Sequence, residues 1–114
     1  MEYTIYHNPR CTKSRQGLAF LNEKGIDPEI KEYLKEGVSA DELKEVVGLL
    51  GIKPEALIRK SEADYKENFK GKDLSDDQWI EAMVNYPKLI ERPIIIHGDK
   101  AVIARPTELI QELL

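Results

Sequence analysis

A single cysteine, Cys11, and two histidines, His7 and His97, are all the soft and borderline metal ligands this 114-residue chain offers apart from two methionines. One thiol cannot close an internal disulfide, and one cysteine with two histidines is a poor metal set, so no metal site is expected. Long apolar runs are missing as well. None approaches the roughly 20 residues that cross a bilayer, so no membrane association is expected. Met1-Glu2-Tyr3 lacks the basic region and long apolar stretch of a secretory signal. A reducing, cytoplasmic compartment is the simplest expectation. An excess of positive charge is also lacking. Seventeen lysines and arginines stand against 21 acidic residues, a formal net charge of -4, which argues against a general nucleic-acid surface. What remains, 41% hydrophobic and 33% charged residues, fits one globular domain of common size.

The feature that stands out against this background is the setting of Cys11. It lies between an apolar run, Tyr3-Thr4-Ile5-Tyr6, and a helix-like segment that starts near Lys13. At a strand-to-helix junction backbone N–H groups converge and the helix dipole favours negative charge. Such a position lowers a thiol's pKa and makes the reactive thiolate available near neutral pH. His7, Arg10, Lys13 and Arg15 all lie within four residues of the sulfur. A cysteine can also pack as a small hydrophobe, but cationic, polar neighbours suit a local anion pocket better.

Along the chain, Glu2 to His7 reads as a strand and about Lys13 to Lys24 as a helix stopped at Gly25, with Leu18, Phe20 and Leu21 inward. Glu29 to Tyr33 reads as a second strand with Ile30 and Tyr33 as its candidate inward residues. Ser39 with Glu42 and Ser75 with Gln78 have the spacing of capping boxes. The first leads into Leu43, Val46, Val47 and Leu50, and the second into Trp79, Ile80, Met83 and Val84. Pro54 is suited to open a short helix carrying Leu57 and Ile58, and Tyr86-Pro87 to stop the helix before it. Ile94-Ile95-Ile96 and Ala101-Val102-Ile103 flank a turn at Gly98-Asp99 and predict a hairpin. Pro106 then opens a final helix over Thr107 to Leu114.

Strand–helix–strand followed by several helices and a hairpin requires a parallel pair and an antiparallel pair in one sheet. The expected fold is α/β: a thioredoxin-like mixed four-stranded sheet flanked by helices. One domain over 1–114 would carry a helical insertion after the second strand, at roughly 35–90. A cis peptide at Arg92-Pro93 is compatible with this reading.

Several segments, taken together and in order, carry a family resemblance: Tyr6-His7-Asn8-Pro9 before Cys11, Ser14-Arg15 after it, Leu57-Ile58-Arg59-Lys60, Arg92-Pro93-Ile94-Ile95-Ile96 and Arg105-Pro106. The chain resembles the glutaredoxin-dependent arsenate reductases and their Spx-related relatives. That resemblance implies that Cys11 is the nucleophile on arsenic, and that Arg59, Arg92 and Arg105 hold the oxyanion. It also implies that His7 tunes the cysteine's pKa, that glutathione is a co-substrate, and that glutaredoxin or another external thiol resolves the adduct. No bound cofactor or metal is implied, and a monomer is expected.

Physical chemistry supports this assignment. Arginine's planar fork donates paired, charge-assisted bonds to tetrahedral oxyanions. With Ser14 where a dithiol motif would place its second sulfur, the adduct has no internal resolving thiol. Ser14 could donate to the Cys11 sulfur or cap the helix, and Arg15 could face the same pocket or decorate the helix. His7 could be a hydrogen-bonded spacer as readily as a pKa modulator. Each arginine could instead be a surface ion-pair partner, and Trp79 reads as core. The same resemblance leaves open an Spx-like regulator that binds RNA polymerase, a thiol reductase of another substrate, and a monothiol carrier of an iron–sulfur cluster.

Overall fold

The computed structural model describes residues 2–114. The chain forms two compact units, one from the residues up to Glu36 with Arg92–Leu114, the other from Gly37–Glu91.

In the first unit the strands are β1 (Tyr3–Tyr6), β2 (Glu29–Lys31), β3 (Ile94–His97) and β4 (Lys100–Ile103), with helix α1 (Thr12–Glu23) between the first two. Their order in the sheet is β2-β1-β3-β4. β1 pairs parallel to β2 and antiparallel to β3, and β3 pairs antiparallel to β4. This is the expected mixed four-stranded sheet flanked by helices. Ile5 of β1 lies opposite Ile95 of β3, and both are fully buried with Leu21 of α1 and Ala104, Ile110 and Leu113 from the end of the chain. Burial of such aliphatic side chains, each contributing about 1.5–3 kcal/mol, holds α1 against the sheet.

One residue sets how closely α1 approaches. At Gly17, buried in the middle of the helix, an added Cβ would come within 3.0 Å of the Pro93 side chain and 3.7 Å of Ile95. Glycine costs a helix about 1 kcal/mol in propensity, and here its bare face lets the helix rest on the start of β3. Cys11 and Arg92 are the residues at the two ends that meet there. The peptide bonds Arg92-Pro93 and Arg105-Pro106 are both cis.

Two expectations for this unit are corrected. Ile30 is 44% exposed, because β2 is an edge strand that ends at Lys31. The inward residue is Tyr33, fully buried in the short helix α2 (Tyr33–Glu36) rather than in the strand. The expected last helix does form, over Thr107–Leu113, and it is 3₁₀. Its two buried residues, Ile110 and Leu113, are three apart, which matches three residues per turn.

In the second unit the helices are α3 (Ala40–Leu50), α4 (Ala63–Asn68) and α5 (Asp76–Asn85), with 3₁₀ turns at Pro54–Leu57 and Pro87–Leu89. Both capping boxes form: Ser39 with Glu42 and Ser75 with Gln78 satisfy backbone donors reciprocally. Leu43, Val46, Val47, Trp79, Ile80 and Met83 are buried as their spacing requires. Trp79 stacks with Tyr65 and meets Phe69 at a tilt. Ile58 does not continue a helix but bridges to Ile90, with the amide of Arg59 donating to the Leu89 carbonyl at 2.6 Å. Among the described residues no helix is long and apolar enough to cross a membrane.

His97, at the end of β3, fastens the chain's last turn. Its ring stacks on Tyr3 at 3.8 Å between centroids and 10° between planes. Its Nδ1 lies 2.7 Å from the Leu113 carbonyl, which also accepts from the Tyr3 hydroxyl at 3.3 Å. Replacing His97 by Ala is expected to lower stability by about 1–2 kcal/mol, one hydrogen bond and one ring contact. Urea denaturation measures the change, and reactivity of Cys11 in the folded variant should stay at the wild-type level.

Candidate active site

Cys11 is the N-cap of α1, with extended backbone torsions of φ -92° and ψ 124°. The turn before it is closed by the Cys11 amide, which donates to the Asn8 carbonyl at 2.9 Å. Pro9 at the second position of such a turn has its φ preset. The Asn8 side chain accepts from the Arg10 amide at 3.0 Å, and the Asn8 amide donates to the Ser14 hydroxyl oxygen at 3.2 Å. Ser14 is fully buried. The hydroxyl that replaces a second thiol therefore accepts from the loop that carries the first.

The sulfur is partly exposed. Burial pushes the Cys11 thiol up, but opposing influences win and its pKa lies below the ordinary thiol value. They are, in falling order, the Ser14 amide, the positive charge of Arg92, the Lys13 amide and a hydrogen bond from the Arg92 side chain. Cys11 makes no conventional capping bond. The first-turn amides of Lys13 and Ser14 nonetheless favour the thiolate, in the direction the dipole argument requires.

Two of the three arginines meet at this sulfur. Arg92 lies two residues before β3 and is only 8% exposed. Arg105, just past β4, donates from Nε to the Arg92 carbonyl at 2.7 Å and brings Nη2 to 3.8 Å from Cys11 Sγ. Among the described residues Arg92 Nε finds no hydrogen-bond acceptor. A buried guanidinium with an open donor, beside a second guanidinium and a thiolate, can hold an oxyanion while the sulfur attacks it.

The remaining candidate residues take other positions. Arg59 belongs to the second unit, where its guanidinium lies 3.7 Å from Glu62 and 3.7 Å from Glu91. His7 is 6% exposed, and its Nδ1 has no partner among the described residues. Burial pulls its pKa below the ordinary imidazole value, Glu32 opposes this and Arg15 adds to it. His7 is therefore neutral at neutral pH, and it is not among the groups that lower Cys11. Arg15 engages the turn that carries the cysteine. It donates to the Pro9 carbonyl at 2.9 Å and to the Thr12 hydroxyl at 3.1 Å. The amide of Lys13 was not singled out by reading the sequence, because any residue type supplies an amide at the second helical position. No group of three or more potential metal ligands occurs among the described residues.

A family model, the ArsC family, matches residues 6–113. An arsenate reductase of Haemophilus influenzae is 44% identical over 116 residues, spanning all of both chains. An uncharacterized protein of Escherichia coli K12 is 44% identical over 112 residues, 96% of this chain and 94% of its own. The solved structure of an arsenate reductase from Vibrio cholerae superposes with a TM-score of 0.95 at 44% identity, covering 100% of this chain and 98% of that one.

Arg92→Met keeps the bulk and removes the charge, so the Cys11 pKa should rise toward the ordinary thiol value. The pH profile of Cys11 alkylation by iodoacetamide reads this directly, and the variant's profile should move to higher pH. The linked effect on stability has a definite sign. Because the folded pKa is depressed, the thiolate's contribution is fully present above the ordinary thiol value and is lost as pH falls through the folded value. Cys11→Ser should therefore lose stability relative to wild type as pH rises through that window.

Proposed function

The chain belongs to the ArsC family, and from that premise we propose that it reduces arsenate to arsenite with Cys11 as nucleophile. The observation that carries this reading is the meeting of a lowered-pKa thiol with the guanidinium groups of Arg92 and Arg105.

In the first step the Cys11 thiolate attacks arsenic, an S–As bond forms, and one arsenate oxygen leaves as water after protonation. Arsenic stays pentavalent. Arg92 and Arg105 balance the charge on the remaining oxygens, a contribution that falls in the transition state as well as in binding. A second thiol then displaces another arsenic oxygen as water and forms a second S–As bond, and a third attacks the sulfur of that second thiol, breaking this bond and leaving its electron pair on arsenic. The disulfide so formed carries away the two electrons' worth of oxidation, and arsenic is left trivalent. Hydrolysis of the S–As bond frees arsenite and returns Cys11. Overall, arsenate and two thiols give arsenite, one disulfide and water. With one cysteine in the chain, both reducing thiols come from outside, and glutathione followed by glutaredoxin is the pair we propose. Arg59 is assigned an oxyanion-holding role by resemblance alone.

The test is arsenate-dependent NADPH oxidation coupled through glutathione, glutaredoxin and glutathione reductase. Cys11→Ser should abolish turnover with the fold intact. Arg92→Ala and Arg105→Ala should each lower kcat/KM for arsenate by about a hundredfold or more. Turnover in the Cys11→Ser variant would overturn the reading.

A further inference from the structure

The turn that presents Cys11 is held at its two ends by one side chain. Asn8 to Cys11 closes through the Asn8 carbonyl, so the Pro9 carbonyl has no partner inside the turn and points away from it. Arg15, one helical turn after the cysteine, reaches back and donates Nη1 to that carbonyl at 2.9 Å. Its Nη2 meanwhile donates to the Thr12 hydroxyl at 3.1 Å. One planar fork thus binds an acceptor two residues before the cysteine and another one residue after it. The helix is continuous beneath, since the Arg15 amide donates to the Cys11 carbonyl at 3.0 Å. Arg15 itself is exposed, and no acidic partner among the described residues competes for its guanidinium in an ion pair.

We propose that Arg15 is a positioning residue, a clasp that spans the Cys11 turn from the Pro9 carbonyl to the Thr12 hydroxyl and fixes the sulfur before the α1 amides and the two arginines. This inference rests on Cys11 being the nucleophile. It assigns Arg15 a geometric role instead of an electrostatic one. The two separate acceptors require the two parallel donors of a guanidinium, and an ammonium on a flexible stem is a point charge that cannot hold both in one plane. A displacement of the nucleophile by an ångström is enough to cost about a hundredfold in rate. Ser14 secures the same turn from inside, through the Asn8 amide, so the loop is held on both faces.

The experiment compares wild type, Arg15→Lys, Arg15→Ala and Thr12→Val, with circular dichroism confirming the fold of each. Two quantities are read: the pH profile of Cys11 alkylation by iodoacetamide, and kcat/KM for arsenate in the coupled assay. A clasp predicts that Lys fails to rescue. Both Arg15 variants should lose about tenfold or more in kcat/KM and shift the alkylation profile to higher pH. Thr12→Val, which removes one acceptor and leaves the charge, should move both in the same direction by less. An Arg15→Lys variant that matches wild type while Arg15→Ala does not would show a charge effect and overturn the clasp. Wild-type behaviour in both Arg15 variants would overturn it too. If wild-type Cys11 itself alkylates like a free thiol, the nucleophile reading falls and the clasp with it. A reactive wild-type thiol beside an unaffected Arg15→Lys sinks only the clasp.

Discussion

A guanidinium buried beside a thiol is the constraint on which the rest of this site depends. Arg92 is almost wholly removed from solvent, and a buried cation is costly unless a negative group faces it. The Cys11 thiolate is such a group, and the positive charge of Arg92 in turn favours that thiolate. The fold supplies the closeness. Arg92 stands two residues before β3, α1 rests on the intervening Pro93 across the bare face of Gly17, and the helix therefore delivers its N-terminal cysteine to that strand end. Arg105 then closes the arrangement, with its Nε on the Arg92 carbonyl and its Nη2 near the sulfur. Three residues far apart in sequence become one electrostatic unit because two strand ends and one helix end share a corner of the sheet.

The chemistry follows from what this unit contains and what it lacks. In the proposed reaction two guanidinium groups take up a tetrahedral oxyanion in a way that neither could alone, and they do so beside a thiol whose pKa is lowered. The buried hydroxyl of Ser14 occupies the place where a resolving thiol could have been, and it is engaged by the Asn8 amide. In the proposed reaction reduction is then completed by thiols from outside, which a partly exposed Cys11 allows. Orientation and charge are thus divided between residues: Arg92 and Arg105 supply charge, while Ser14 and Arg15 shape the turn.

Much of this was legible in the sequence, and what was not has physical reasons. The two capping boxes are local in sequence, so Ser39 and Ser75 marked their helices correctly. The triple isoleucine and Gly98-Asp99 marked the hairpin for the same reason. Ile30 misled because its apolar character says nothing about whether its strand lies at a sheet edge. The last helix was legible, but not its type, because a spacing of three residues, Ile110 to Leu113, fits a 3₁₀ helix as well as an α-helix over so short a run. Cys11 was marked by its place between a strand and a helix, and Arg92 and Arg105 were singled out through the family resemblance. The engagement of Arg15 with Pro9 and Thr12 was not legible, since it depends on where a carbonyl points once the turn has closed. The same holds for His97, whose partners Tyr3 and Leu113 lie at opposite ends of the chain.

The most direct test of the central claim is the coordination of arsenic itself. X-ray absorption at the arsenic edge, on wild-type protein incubated with arsenate and no other thiol, should show one sulfur among the arsenic's neighbours with the metalloid still pentavalent. Cys11→Ser should show oxygen alone. A wild-type spectrum with only oxygen around arsenic would contradict the proposal that Cys11 and its two arginines form a site for covalent attack on arsenate.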